Sequence, residues 1–162
     1  MTDAPAGQWT AFCDGSAAPN PGRMAYGALL LAPDGSRHPL SGASGGAVGC
    51  NNEAELWALT AALQALRRQG ATDVLLCSDN RVVVDQLARH GPAAPPAIAR
   101  LAVLFDATRA LMAGFDRVEL RWIPRHRNAE ADALARAAAG LLPKAVLAPG
   151  PRRSARARRK SG

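Results

Sequence analysis

The chain has 162 residues, 48% of them hydrophobic, and a net charge of +7, which gives one domain with a core large enough to be stable without staples. Its three cysteines, Cys13, Cys50 and Cys77, show neither a disulfide framework nor metal-type spacing, so a reduced, cytoplasmic protein is expected. No apolar run is long enough to span a bilayer, and Met1-Thr2-Asp3-Ala4-Pro5 lacks the basic and apolar regions of a signal peptide, so no membrane partner is expected.

Trp9 to Cys13 predicts a buried strand that delivers Asp14 at its end. Gly15 is expected to break this strand, and Asn20-Pro21-Gly22 to turn the chain. A buried, unpaired Asp is costly, and a cation or several hydrogen-bond donors are its usual compensation. At a solvated turn the same residue is unremarkable. Ala25 to Leu31 predicts a second strand, Pro33-Asp34-Gly35 a hairpin turn, and Ser36 to Gly42 a third strand antiparallel to the second. Gly42 to Gly49 is expected to be a mobile, glycine-rich loop.

Asn51-Asn52 opens a helix in which Leu56, Leu59, Leu63 and Leu66 keep the helical period until Gly70 stops it. Glu55 sits in its first turn at the edge of the buried face, a place where an acid also simply complements the helix dipole. Val74 to Cys77 is a fully apolar strand, and it ends at Ser78-Asp79-Asn80 before a helix carrying Val82, Val83 and Leu87. Asp79 therefore repeats the design of Asp14, a carboxylate at the strand edge where ligands of open α/β sheets sit.

Pro92 to Pro96 is a short linker, and Ile98, Leu101, Leu104, Phe105 and Leu111 mark another helix. Val118 to Ile123 alternates like a half-covered strand and ends at Pro124. Arg125-His126-Arg127 follows, and Asn128 is expected to cap a last helix with Asp132 in its first turns. The hydrophobic pattern fades beyond Leu142, so residues 1–142 are read as the folded domain and 143–162 as a disordered basic tail. Arg152, Arg153, Arg156, Arg158, Arg159 and Lys160 carry six of the seven net charges, leaving +1 for residues 1–151.

Asp14 and Asp79 at strand ends, and Glu55 and Asp132 in first helical turns, occupy comparable places. Were they to converge, they could not all ionise without cations. Hard carboxylate oxygens suit magnesium or manganese, and two such ions roughly 4 Å apart can activate a water and stabilise the leaving oxygen of a phosphodiester. Spacing alone leaves their convergence open.

The motifs Asp14-Gly15-Ser16 with Asn20-Pro21-Gly22, Asn51-Asn52-x-x-Glu55-Leu56, Ser78-Asp79-Asn80 and Trp122-x-x-x-His126-x-Asn128-x-x-x-Asp132 resemble those of type 1 ribonuclease H. They fall in that family's order and span about Trp9 to Leu142. The resemblance implies an α/β fold, a five-stranded mixed sheet in order 3-2-1-4-5 with helices on both faces. It implies a monomeric endonuclease that cuts the RNA strand of RNA–DNA hybrids with two magnesium ions, manganese being possible, leaving 3′-hydroxyl and 5′-phosphate ends. By the same resemblance Asp14, Glu55, Asp79 and Asp132 are metal ligands, with Asp14 bridging both ions, and His126 is a proton shuttle. Gly15, Ser16, Asn20, Asn51 and Asn52 match positions that contact the nucleic acid, although turn and cap chemistry also accounts for the asparagines. Arg152, Arg153, Arg156, Arg158, Arg159 and Lys160 are expected to add phosphate contacts that do not read sequence.

The sequence departs from the bacterial pattern in three places. Cys50 stands where a threonine commonly helps to hold a DNA phosphate. Arg89 to Pro96 is too short for the basic, tryptophan-bearing protrusion of many relatives, and the loop between Trp122 and Asp132 is short. Two other classes share parts of the pattern. An exonuclease or resolvase of the same superfold would keep the carboxylates without the Asn20 and Asn51-Asn52 constellation. A non-catalytic nucleic-acid binder would gain nothing from negative charge facing phosphates.

Overall fold

The computed structural model describes residues 7–88 and 99–144. Among them are strands β1 (Gln8–Ala18), β2 (Gly22–Leu31), β3 (Arg37–Gly49), β4 (Asp73–Ser78) and β5 (Arg117–Trp122). They form one five-stranded sheet in the order β3-β2-β1-β4-β5, antiparallel on the β3-β2-β1 side and parallel across β1, β4 and β5. Helices α1 (Asn51–Arg68), α2 (Arg81–Ala88), α3 (Ala102–Ala113) and α4 (Ala129–Ala138) complete the expected architecture. None of the described helices is long and apolar enough to cross a membrane, and all three cysteines are free.

Successive residues of a strand face opposite sides, and this alternation sorts β1 between two layers. Ala11 and Cys13 join the main core, packed with Leu56, Leu59, Leu63 and Leu66 of α1 and with Val74 and Leu76 of β4. Asp14 falls on the other side, where α4 lies over β1 and β2. Two glycines let the helices approach this closely. A Cβ on Gly15 would run into the Ala54 carbonyl of α1. A Cβ on Gly27, which pairs with Asp14 across the β1–β2 ladder, would meet the Ala131 carbonyl and the Ala135 amide of α4.

Three local expectations are corrected. β1 does not break at Gly15 but runs on to Ala18, paired with Arg23, because the missing side chain makes room for α1 while the β2 ladder continues. Gly42 to Gly49 is not a loop but the second half of β3, with Gly42 opposite Tyr26 and Gly49 opposite Gly22. The register shifts between Arg23 and Ala25, where Ser44 Oγ accepts the Met24 N–H at 2.9 Å and donates to the Ala47 carbonyl at 2.6 Å. A glycine-rich stretch has weak strand propensity, and here the partner strand supplies what the sequence lacks. Asn128 stands at the N-cap of α4, as expected, but does not cap the helix through its side chain. Its Nδ2 instead donates to the Cys13 carbonyl at 2.8 Å, and its own carbonyl accepts the Asp132 N–H at 3.0 Å. Asn128 is thus a buried pin between the start of α4 and β1. The short segment Arg89 to Pro96 and the six tail cations lie outside the described residues.

Candidate metal centre

Register brings the first two carboxylates together. The parallel β1–β4 pairing ends at Cys13 opposite Ser78, so Asp14 and Asp79 are the next residues on neighbouring strands. Glu55, one turn into α1, reaches the same point because Gly15 admits the helix. Oxygens of Asp14, Glu55 and Asp79 all lie within 4.8 Å of one another. Asp14 is 8% and Glu55 4% exposed, while Asp79 is half-buried. Asp132 lines the same cleft, of about 800 Å³, but stands outside that tight trio. Its Oδ2 accepts from Lys144 Nζ at 2.9 Å.

The electrostatics follow from this crowding. Burial pushes the Asp14 carboxyl up to about 6, opposed by its hydrogen bond with Glu55 and reinforced by the charges of Asp79 and Asp132. Burial, then the charge of Asp14, then a hydrogen bond with it, hold Glu55 well above the usual carboxylate range. The Gly15 backbone acts in the opposite sense, and Ser78 Oγ donates to Glu55 Oε2 at 3.3 Å. A buried group of acids that resists ionisation, with only hard oxygen donors, fits a divalent cation.

The surrounding residues fix these acids in place. Trp122 Nε1 donates to the Asp79 carbonyl at 3.1 Å, and Arg81 stacks over the Trp122 ring at 4.0 Å. Asn80 donates from its backbone to Ser78 Oγ at 3.1 Å and from Nδ2 to Asn52 Oδ1 at 2.8 Å. Asn20 Oδ1 accepts the Asn51 N–H at 3.1 Å, and Asn51 Oδ1 accepts the Ala17 N–H at 2.9 Å. Gly15, Ser16, Asn20, Asn51 and Asn52 all line the carboxylate cleft. Cys50 is the N-cap residue of α1 and makes no side-chain capping bond, so this end of the helix relies on Asn20. His126 stands exposed on a short 3-10 turn, Arg125–Arg127, and reaches the cleft beside Arg125.

Among the lining residues that carried no site assignment from sequence are the polar side chains Asn80, Arg81, Arg125 and Lys144. Asn80 stood inside the Ser78-Asp79-Asn80 motif, so its place next to Asp79 was visible. Nothing marked Lys144, which lay in the stretch read as tail.

The family model described as Reverse transcriptase-like matches residues 12–138. The chain is 36% identical over 131 residues to Ribonuclease HI of Halobacterium salinarum, covering 80% of this chain and 63% of that one. It is 35% identical over 124 residues to the bifunctional protein Rv2228c of Mycobacterium tuberculosis, covering 75% of this chain and 33% of that one. The chain thus spans about a third of the length of the mycobacterial relatives it matches and under two thirds of the halobacterial one. The crystal structure of RNase H1 from H. salinarum superposes with a TM-score of 0.75 at 33% identity, covering 83% of this chain and 98% of that one. LC11-RNase H1, solved in complex with RNA/DNA hybrid, gives 0.69 at 26% identity, covering 80% of this chain and 95% of that one.

Proposed function

The chain belongs to the type 1 ribonuclease H family, and from that membership we propose that it is an endonuclease hydrolysing the RNA strand of RNA–DNA hybrids. The observation that carries this reading is the convergence of Asp14, Glu55 and Asp79 within 4.8 Å, beside asparagines that line the same cleft. Residues 1–142 are the catalytic domain in this reading, and the free cysteines suit a reducing, cytoplasmic setting.

Asp14, Glu55 and Asp79 would hold divalent cations, magnesium or manganese, with Asp132 closing the set from α4. Two such ions, when bound, supply an activated water and charge stabilisation for the leaving oxygen. Asp14, which is hydrogen-bonded with Glu55 and feels the charges of Asp79 and Asp132, would be the ligand that the ions share. Asn20, Asn51 and Asn52 lie along the cleft wall, where amide groups can contact ribose hydroxyls, the feature that separates RNA from DNA. His126, exposed and unconfined, can carry a proton to or from the 3′-oxygen as it leaves.

A gel comparing an RNA–DNA hybrid, double-stranded DNA and a duplex with a single ribonucleotide, each with magnesium, manganese or chelator, tests the proposal. Metal-dependent products from the RNA strand of the hybrid alone, ending in 3′-hydroxyls, are expected. Equal cutting of double-stranded DNA, or cutting in chelator, would overturn it.

A further inference from the structure

After α4 the chain is folded back on itself by a set of specific bonds. Gly140 takes a φ of 73°, and the Leu141 N–H donates to the Arg136 carbonyl at 2.9 Å, which closes the helix. Arg136 then clamps the next carbonyl, its Nε and Nη2 donating to Leu142 O at 3.1 and 2.7 Å. Arg136 lies one turn beyond Asp132 on the same face of α4. Pro143 follows, and Lys144 Nζ arrives 2.9 Å from Asp132 Oδ2, within the carboxylate cleft.

We propose that Lys144 is a tethered cation that occupies Asp132 in the metal-free protein and competes with the divalent ion for it. The inference rests on the metal-centre reading above and adds a device that sets how readily the centre loads. An ammonium has three donors and no acceptor, so it can satisfy a carboxylate but cannot share it with a second cation in the same place. The pair is partly exposed, with side chains 61% and 28% accessible, so it tunes metal affinity rather than blocking it. Because the clamp on Leu142 precedes Lys144, freeing Arg136 lowers the local concentration of the ammonium at Asp132 and acts in the same direction.

The full chain is titrated with Mn2+ alone, free ion being followed by electron paramagnetic resonance, without nucleic acid. Lys144→Ala should tighten the dissociation constant about threefold, Arg136→Ala should tighten it by less, and Lys144→Arg should match wild type. Thermal melting in chelator checks that each variant is folded, as expected for an exposed Lys144 and a half-buried Arg136. An unchanged or weaker affinity in Lys144→Ala, with wild type still binding Mn2+, overturns the competition while leaving the metal centre standing. Absence of Mn2+ binding by wild type, together with uncut hybrid, would remove the metal centre and this inference with it.

Discussion

At the scale of single residues, the carboxylate cluster stores repulsion that a neutral substitution or a cation can release. Asp14 titrates at about 6 in the folded chain against an ordinary 3.8, so the folded state keeps a proton that the unfolded chain has already released. The unfolded state therefore binds fewer protons across that interval, and metal-free stability falls as pH rises from about 4 to about 6. At roughly 1.4 kcal/mol per pH unit the loss from Asp14 is on the order of 3 kcal/mol. Asp14→Asn should remove Asp14's share of this slope and ease Glu55 toward its ordinary range, so that its stability advantage over wild type grows between pH 4 and pH 7. Urea unfolding in chelator at several pH values measures it, and an advantage independent of pH would contradict the assignment. The same variant should lose hybrid cleavage altogether, as should Asp79→Asn, because each removes a proposed ligand. His126→Ala belongs to a different class. Turnover should drop on the order of a hundredfold with Mn2+ affinity unchanged, whereas a loss below about threefold would show that the metals and water carry the proton traffic.

Secondary-structure elements explain why the trio meets and why only part of the site was legible in advance. Asp79, Glu55 and Asp132 could be placed at a strand end and at helix starts, and Asp14 on the first strand though not at its true end, because periodicity marks those elements locally. What periodicity could not show is contact between distant segments. Gly15 reads as a breaker in sequence, yet the structure uses it as the point where α1 closes on β1. The glycines of β3 read as a loop because their pairing comes from β2, not from their own preferences. Asn128 reads as a cap, and only the fold reveals the Cys13 carbonyl waiting beneath it. Gly15→Ala should therefore displace α1 and with it Glu55, costing at least about 2 kcal/mol in urea unfolding and most of the Mn2+ affinity. Asn128→Ala should leave the Cys13 carbonyl buried without its donor, at a cost of about 1–3 kcal/mol. Because α4 is also held by its packing on β1 and β2, that variant should fold and bind Mn2+ through Asp14, Glu55 and Asp79. A Gly15→Ala protein with wild-type stability and metal binding would remove the close approach as the reason for the site's geometry.

Charge is organised at the scale of the whole molecule, with six cations gathered in residues 152–160 and a net +1 on residues 1–151. Residues 1–151, so close to neutral and with acids at the cleft, draw little on long-range attraction to a polyanion. The six terminal cations can supply that attraction by neutralising phosphates and releasing counterions, with no demand for sequence. Removing Pro151 to Gly162 should thus raise KM for hybrid by more than it lowers kcat, because the arm acts on binding and not on the bond being broken. The dependence of hybrid affinity on salt should flatten, each lost phosphate contact reducing the slope by nearly one. Fluorescence anisotropy on a hybrid in chelator, across a series of salt concentrations, separates this from any effect on chemistry. An identical slope in the truncated protein would mean that the arm makes no phosphate contacts, and that the cleft residues alone hold the substrate.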